Sequence, residues 1–430
     1  MNLFYNPKPE TWNELMKRPQ TDPDQSDAIV KTIFEEVRTK GDLAVAKYTS
    51  LLDGTNPETT AVTTAEILQA KDQISEDLKK AIATAQINIE KFHRAQQSPK
   101  IVVETMEGVT CWQEKKPIQK VGLYIPAGTA PLFSTVLMLA IPAQIAGCNE
   151  IILCSPPNKN GQIDPAVLYA AFQCGITKIY KIGGIQAIAA MTFGTATVPK
   201  VYKIFGPGNQ YVTAAKQYAY QFGVAIDMPA GPSELLIVAD ESAVPKYIAA
   251  DLLSQAEHGK DSQVILVSNS ESLITAVEAA VNEQIAFLPR QEIAVKAIAN
   301  SSLIYIPEPE DTLRFINDYA PEHLMICSEN ESFYIDGIQN AGSVFIGNFT
   351  PESAGDYASG TNHTLPTNGF SKNYSGVCLD SFLKSVTFQK ISPKGLQNLG
   401  PTIEIMATAE GLDGHKNAVT LRLADLNETL

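Results

Sequence analysis

Local signatures of metal or nucleotide binding are scarce in this chain. Its 430 residues include five histidines and six cysteines. No cysteine pair has CxxC spacing, HExxH does not occur and G-x-G-x-x-G is absent, so no short pattern by itself proves a metal or dinucleotide site. Clustered Lys and Arg are missing too. With a net charge of -14, that absence argues against nucleic acid as a partner, since non-specific binding needs a basic footprint. Cys148, Cys154, Cys174 and Cys327 lie in or beside apolar runs, and Cys111 and Cys378 complete the set. Buried, reduced thiols in a cytoplasmic protein are expected, with a thiol nucleophile as the alternative. The opening "MNLFYNPKPETW" lacks a basic end followed by an apolar core, so a secretory signal is not expected.

One uncharged run, Val121 to Asn149, covers 29 residues and raises the question of a membrane. Pro126, Gly128, Pro131, Pro142 and Gln144 interrupt it. It therefore divides into the strand, loop and helix of a buried core, and no membrane span is expected.

What the chain does contain is hydrophobic periodicity. The length predicts two to three domains, and 44% hydrophobic residues with 19% charged fit a globular enzyme. Up to about residue 105 apolar positions recur at three and four, predicting helices; His93 lies among polar residues and is expected at the surface. From about Lys120 short apolar runs alternate with helical segments: "KVGLYIPAG", "NEIILCSPP", "TKIYKIGG" and "KVYKIFGPG" read as strands. After "DMPAGPS" the alternation restarts with "ELLIVAD", "SQVILVS", "SLIYIPE", "HLMICSE" and "SVFIGNF". Near-continuous apolar strands separated by helices predict parallel sheets covered on both faces. The expected fold is α/β, with two Rossmann-like three-layer domains and a cleft between them. The boundaries read as a helical N-terminal region 1–105, a first α/β domain 106–232, a second 233–381 and a tail 382–430. "QKISPKGLQNLG" in the tail looks helical.

Four histidines stand in polar contexts punctuated by Gly or Pro. In "SQAEHG" Gln255 and His258 share a helical face three residues apart, and Gly259 stops the helix. A histidine stabilised by the helix dipole explains the pattern as readily as a ligand does. "YAPEHLMI" places Glu322 beside His323 at the entrance to a strand, where both can reach one ligand only if Pro321 distorts the backbone. Such a pair suits acid–base work near neutral pH; a solvated strand start is the alternative. "NFTPESAGDYASGTNHTLPT" carries Glu352, Asp356 and His363 in what reads as a long functional loop, and "TAEGLDGHKNAV" adds Glu410 and His415. Together Gln, His and Asp side chains can make a closed N/O set suited to Zn²⁺. The turns in "YIPAGTAPLFST", "IGGIQAIAA" and "FGPGNQYV" put glycines between strand and helix, where amides can meet a pyrophosphate or simply close a tight turn.

These stretches, with "IDMPAGPSE" and "HKNAVTLR", closely resemble the histidinol dehydrogenase family from about residue 120 to 422. The resemblance implies an aldehyde-dehydrogenase-like architecture whose first α/β domain binds NAD⁺ and whose second carries Zn²⁺, one per subunit, and substrate. It implies zinc ligands Gln255, His258, Asp356 and His415, a catalytic pair Glu322 and His323, and cofactor contacts Tyr124, Gln186 and Asn209. Ser233, Gln255, His258, His323, Asp356, His363, Glu410 and His415 would contact L-histidinol. It further implies a homodimer in which the tail supplies Glu410 and His415 to the other subunit's site. The implied reaction is the oxidation of L-histidinol to L-histidine through the bound aldehyde with two NAD⁺, the last step of histidine biosynthesis. A zinc hydrolase or deaminase and a non-catalytic metabolite-binding protein are the rival readings of the same residues.

Overall fold

The computed structural model describes residues 1–19, 23–55, 59–127 and 131–428. Its strands are β1 (Asn2–Tyr5), β2 (Ile101–Met106), β3 (Val109–Pro117), β4 (Lys120–Tyr124), β5 (Glu150–Ser155), β6 (Lys178–Lys181) and β7 (Lys203–Phe205), followed by β8 (Ala225–Ile226), β9 (Glu234–Ala239), β10 (Gln263–Ser268), β11 (Ser302–Tyr305), β12 (His323–Cys327), β13 (Ser343–Ile346) and β14 (Leu383–Ile391).

Two parallel sheets carry most of the chain. One has the order β6-β5-β4-β7-β8, the other β1-β11-β10-β9-β12-β13. Apart from β1, each starts in its middle, winds outward through two strands, then crosses back to the other side. Each sheet is buried on both faces because its strands alternate between two apolar layers. Val121 and Leu123 enter one core of the first sheet, while Tyr124, Ile152 and Ile204 enter the other. Leu235 and Ile237 face one core of the second sheet, and Leu236 and Val238 the opposite one. This is the three-layer α/β fold that the apolar runs predict.

The uncharged run becomes β4 and the helix Phe133–Ala146, buried continuously from Ser134 to Ala143, as expected of a helix enclosed in a core. Among the described residues no helix is long and apolar enough to cross a membrane. At the crossing between β4 and β7 the backbone leaves no choice of residue at Gly206. Its φ is +133°, and a Cβ there would stand 2.0 Å from the Tyr124 carbonyl oxygen.

Three details depart from the sequence reading. The N-terminal region is helical over Pro23–Lys40 and Glu76–Ala95, the latter capped by Ser75, but it also supplies β1 as the parallel edge partner of β11. His93 is fully buried rather than at the surface: Nδ1–H donates to Ile89 O at 2.8 Å, and Nε2 faces the Asn362 amide at 3.4 Å. Its sequence neighbours are polar, but the face it occupies belongs to the core side of the helix. Lastly, the segment "LKSVTFQKI" is the strand β14, and the helix begins only at Pro393. Antiparallel pairing with β3 fixes it, and Phe388 stacks on Trp112 with ring centroids 5.2 Å apart.

The chain forms two compact units, residues 1–96 with 118–382, and 97–117 with 383–430. The second consists of the β14-β3-β2 sheet and the helices Pro393–Ala409 and Asp413–Glu428.

In the first unit Phe205 and Phe382 are both fully buried, with stacked rings 4.0 Å apart. Replacing Phe382 with Ala should destabilise this unit by about 3–5 kcal/mol, read as a lowered denaturant midpoint. An unchanged midpoint would mean that the stack carries no weight.

Candidate active site

The side chains of interest gather at the beginnings of β9 and β12. The helix Pro245–Ala256 connects parallel neighbours β9 and β10, so it runs back against the strands and ends where they start. Gln255 sits in its last turn, fully buried, and His258 lies just beyond, half-exposed. Gln255 Nε2 stands 2.8 Å from His323 Nδ1 and donates to Glu234 O at 3.4 Å.

His323 opens β12, and Glu322 precedes it outside the strand. The preceding helix, Pro309–Tyr319, is closed by Ala320 in the left-handed conformation, φ +54°, and Pro321 follows. This bend lets the adjacent side chains converge. Glu322 Oε2 accepts from the Glu234 backbone N–H at 2.8 Å and lies 3.5 Å from His323 Nδ1. On the other edge of the imidazole, Nε2 is 3.5 Å from Asp356 Oδ1 and 3.6 Å from Glu352 Oε1. The segment expected to be one long loop contains a short helix, Glu352–Tyr357, that puts both carboxylates on one face. Asp356 Oδ2 reaches to within 3.9 Å of His258 Nε2.

Three carboxylates thus surround one buried imidazole. Burial alone would lower the proton affinity of His323, but Glu322, Asp356 and Glu352 override it and hold its pKa well above the ordinary range. Glu352 is raised as well: burial and the neighbouring Asp356 charge push its carboxyl up to about 8, against the pull of His323. Asp356 is also buried, yet its contact with His323 keeps its pKa below the usual carboxylate range. The cluster holds more negative than positive groups, an arrangement that favours a cation.

Within this cluster two buried acceptors have no hydrogen-bond partner, Gln255 Oε1 and Glu352 Oε1. The Gln255 amide nitrogen faces Glu234 O and His323 Nδ1, which leaves the carbonyl oxygen without a partner. An orphaned buried carbonyl oxygen beside an imidazole and a carboxylate is a costly arrangement unless something fills it. The donor set Gln O, His N and Asp O fits a divalent, borderline ion such as Zn²⁺. Within the same cluster His323, Glu352 and Asp356 also present ligand atoms all within 4.8 Å of one another.

The remaining candidates are placed as follows. His363 donates from Nδ1 to Asp356 O at 2.7 Å and faces Thr135 Oγ1 through Nε2 at 3.1 Å. It thereby links the short helix to the start of the helix after β4. Ser233 immediately precedes β9 and accepts from Gln263 N–H through its carbonyl. Tyr124 ends β4, and its hydroxyl accepts from the Gly184 N–H at 3.0 Å; Gln186 is fully buried in the helix Gly184–Phe193. Asn209 caps the helix Gln210–Ala219 through Oδ1, at 3.1 Å from the N–H groups of Tyr211 and Val212. Glu410 and His415 are exposed near the turn between the two helices of the second unit.

Sequence reasoning gave no role to Glu352 and missed Glu234 and Arg18 altogether. Glu234 begins β9 with its side chain buried, and Arg18 binds both its oxygens, Nε at 2.6 Å and a terminal nitrogen at 3.0 Å. The Asn368 N–H adds a third contact at 2.6 Å, and the guanidinium lies over the Tyr319 ring, 3.9 Å from its centroid. A carboxylate at the head of an otherwise apolar strand is the one signal that could have pointed to it.

The fold and the acid–imidazole cluster define the class as an α/β enzyme. The family model described as histidinol dehydrogenase matches residues 16–423. Histidinol dehydrogenase of Bacteroides thetaiotaomicron is 58% identical over 99% of this chain and 100% of its own length. That of Vibrio parahaemolyticus is 52% identical over 93% of each. The crystal structure of histidinol dehydrogenase from Elizabethkingia anophelis superposes with a TM-score of 0.97 at 55% identity, covering 99% of both chains. A proline utilization A structure, 14% identical with a TM-score of 0.50 over 88% of this chain and 46% of that one, shares the fold alone. The chain belongs to the histidinol dehydrogenase family, oxidoreductases of histidine biosynthesis.

Replacing Arg18 with Met would leave Glu234 buried and unpaired and should destabilise the protein by about 3–5 kcal/mol. Adding Glu234→Gln to that variant should recover part of the loss. Denaturant titration of the single and double variants checks this; additive losses would show that the two side chains do not depend on each other.

Proposed function

We propose that this protein oxidises L-histidinol to L-histidine through L-histidinaldehyde, with two NAD⁺ as hydride acceptors. The observation that carries the reading is the His323 imidazole, flanked by Glu322 on one edge and by Glu352 and Asp356 on the other, beside the unsatisfied oxygen of Gln255. Zn²⁺ would be held by Gln255, His258 and Asp356, with His415 supplied by a second copy of the chain. When bound, it would anchor the imidazole and amine of the substrate and offset the carboxylate charge around His323.

The first oxidation removes a hydride from the alcohol carbon, which NAD⁺ accepts, and a proton from the hydroxyl, which His323 accepts in the neutral form it takes once the carboxylate charge around it is offset. Water then adds to the aldehyde carbon: Glu322 takes a proton from the water, and protonated His323 returns its proton to the aldehyde oxygen, which frees it to accept again. The resulting diol loses a second hydride to a second NAD⁺ and a second proton to His323, leaving the carboxylic acid. Glu322 is suited to this work because the Glu234 N–H holds one carboxylate oxygen in place at 2.8 Å. His363, whose ring is held between Asp356 O and Thr135, would contact substrate beside this cluster. Burial raises the thiols of Cys148, Cys174 and Cys327 to about 12, so none of these three is suited to attack the aldehyde.

Tyr124, Gln186 and Asn209 would contact the dinucleotide at the C-terminal edge of the first sheet, where its strand order reverses. Ser233 and Glu410 would complete the substrate site, Glu410 again from the second copy. Ile405, at 71% exposure, and Met406, at 59%, give the second unit an apolar surface that supports a homodimer. The working form is thus a cytoplasmic homodimer.

L-Histidinol with NAD⁺ should generate NADH absorbance, and complete removal of divalent metal should abolish it; activity indifferent to metal removal would overturn the zinc assignment. Asp356→Asn should lower bound zinc by at least about tenfold in metal analysis after dialysis. Glu322→Gln should retain much of the alcohol oxidation but slow aldehyde-to-acid turnover by roughly 10²-fold or more. Unchanged turnover of added aldehyde would refute the division of roles.

A further inference from the structure

Asp53 has no part in the reaction just described, yet it is built into the cofactor side of the fold. It ends the turn Thr49–Asp53 and is half-buried. Its Oδ2 accepts from Gln186 Nε2 at 3.1 Å, and the Gly183 N–H also donates to the carboxylate. Gly183 follows β6, and a Cβ on it would stand 2.8 Å from Asp53 Oδ1 and 2.7 Å from Pro156, which follows β5. Asp53 is therefore packed over the C-terminal ends of β5 and β6.

Two further features mark this as a place where a polar ligand is received. Gln186 is 0% exposed, and its Oε1 has no hydrogen-bond partner. Binding its amide nitrogen to Asp53 fixes which way that oxygen points. The Tyr124 hydroxyl lies on the neighbouring strand end, tied to Gly184 at 3.0 Å. Lys181 on β6, the nearest strand cation in sequence, is already paired with Glu66 at 2.6 Å, so it does not offer its charge to a phosphate.

The topology gives the carboxylate a meaning. In a doubly wound sheet the dinucleotide lies across the strand ends at the reversal, and an acidic residue near the end of the strand beside the central one binds the adenosine ribose. The corresponding strand here is β5, beside β4. The chain after it, "PPNKNGQI", contains no acid. Asp53 reaches the same position from a distant segment.

We propose that Asp53 accepts the ribose hydroxyls of the dinucleotide and excludes a 2′-phosphate, making this protein selective for NAD⁺ over NADP⁺. The inference rests on the NAD⁺ reading above. A carboxylate a few ångströms from a phosphate dianion repels it strongly in a half-buried setting, and the loss of a hydroxyl–carboxylate bond adds to the difference.

Calorimetric titration of the intact protein with NADH and with NADPH tests it without turnover. Wild type should bind NADH at least about tenfold more tightly than NADPH, and Asp53→Asn should shrink that ratio by roughly tenfold. Asp53→Ser, which opens space for a phosphate, should shrink it as well. If both variants fold, by near-UV circular dichroism, and keep the wild-type ratio, the assignment to Asp53 is overturned. If neither folds, the wild type still decides: AMP should displace NADH better than adenosine 2′,5′-bisphosphate, and equal displacement overturns selectivity at this position. Failure of the wild type to bind either dinucleotide would overturn the NAD⁺ reading itself and this inference with it.

Discussion

The peptide unit at Glu234 is the point on which the candidate active site hangs. Its N–H holds the Glu322 carboxylate, and its C=O accepts from Gln255 and lies 3.2 Å from His323 Nδ1. The side chain of the same residue is locked by Arg18 and by the Asn368 N–H. An isolated buried carboxylate would be prohibitively costly, so Arg18 is a condition for the strand to begin where it does. From that fixed start follow the positions of Glu322, His323 and Gln255, drawn from two separate segments. The ion pair serves geometry rather than net stability, since the desolvation of both partners offsets most of their attraction.

On the proposed reading the two sheets would meet the reaction from opposite edges. The first offers the C-terminal ends of its strands, where Tyr124, Gly206 and Asp53 gather. In the second sheet the strand starts carry Glu234 and His323, and the returning helix brings Gln255 to them. Residues of the Glu352–Thr367 stretch connect the two. His363 bonds to Asp356 O and faces Thr135, and Asn362 donates to Met138 O. A hydride donor held by one sheet and an acceptor held by the other would then be positioned by packed secondary structure rather than by loops.

Much of the fold was legible because its strands are buried on both faces and therefore read as unbroken apolar runs. The helix end at Gln255 and His258 was legible from spacing, since three residues is nearly one helical turn. The adjacency of Glu322 and His323 was visible, but the bend at Ala320 that makes it productive was not. Arg18 and Glu234 are 216 residues apart, and no local pattern links them. His93 was misjudged because burial belongs to the face of a helix and its sequence neighbours occupy other faces. The expected helix "QKISPKGLQNLG" starts too early, at Gln389–Ile391, because the pairing of β14 with β3 that makes those residues strand lies far away in sequence. The roles given to the site residues came from family resemblance; spacing alone left a metal site and a plain helix end side by side.

The central claim is that one cluster carries an alcohol through to an acid with a dinucleotide as oxidant. The amount of NADH formed per L-histidinol consumed at complete conversion measures it directly. Four electrons require two NADH and L-histidine as the only organic product. A yield of one NADH with free aldehyde accumulating, or consumption of L-histidinol with no NADH at all, would contradict the account.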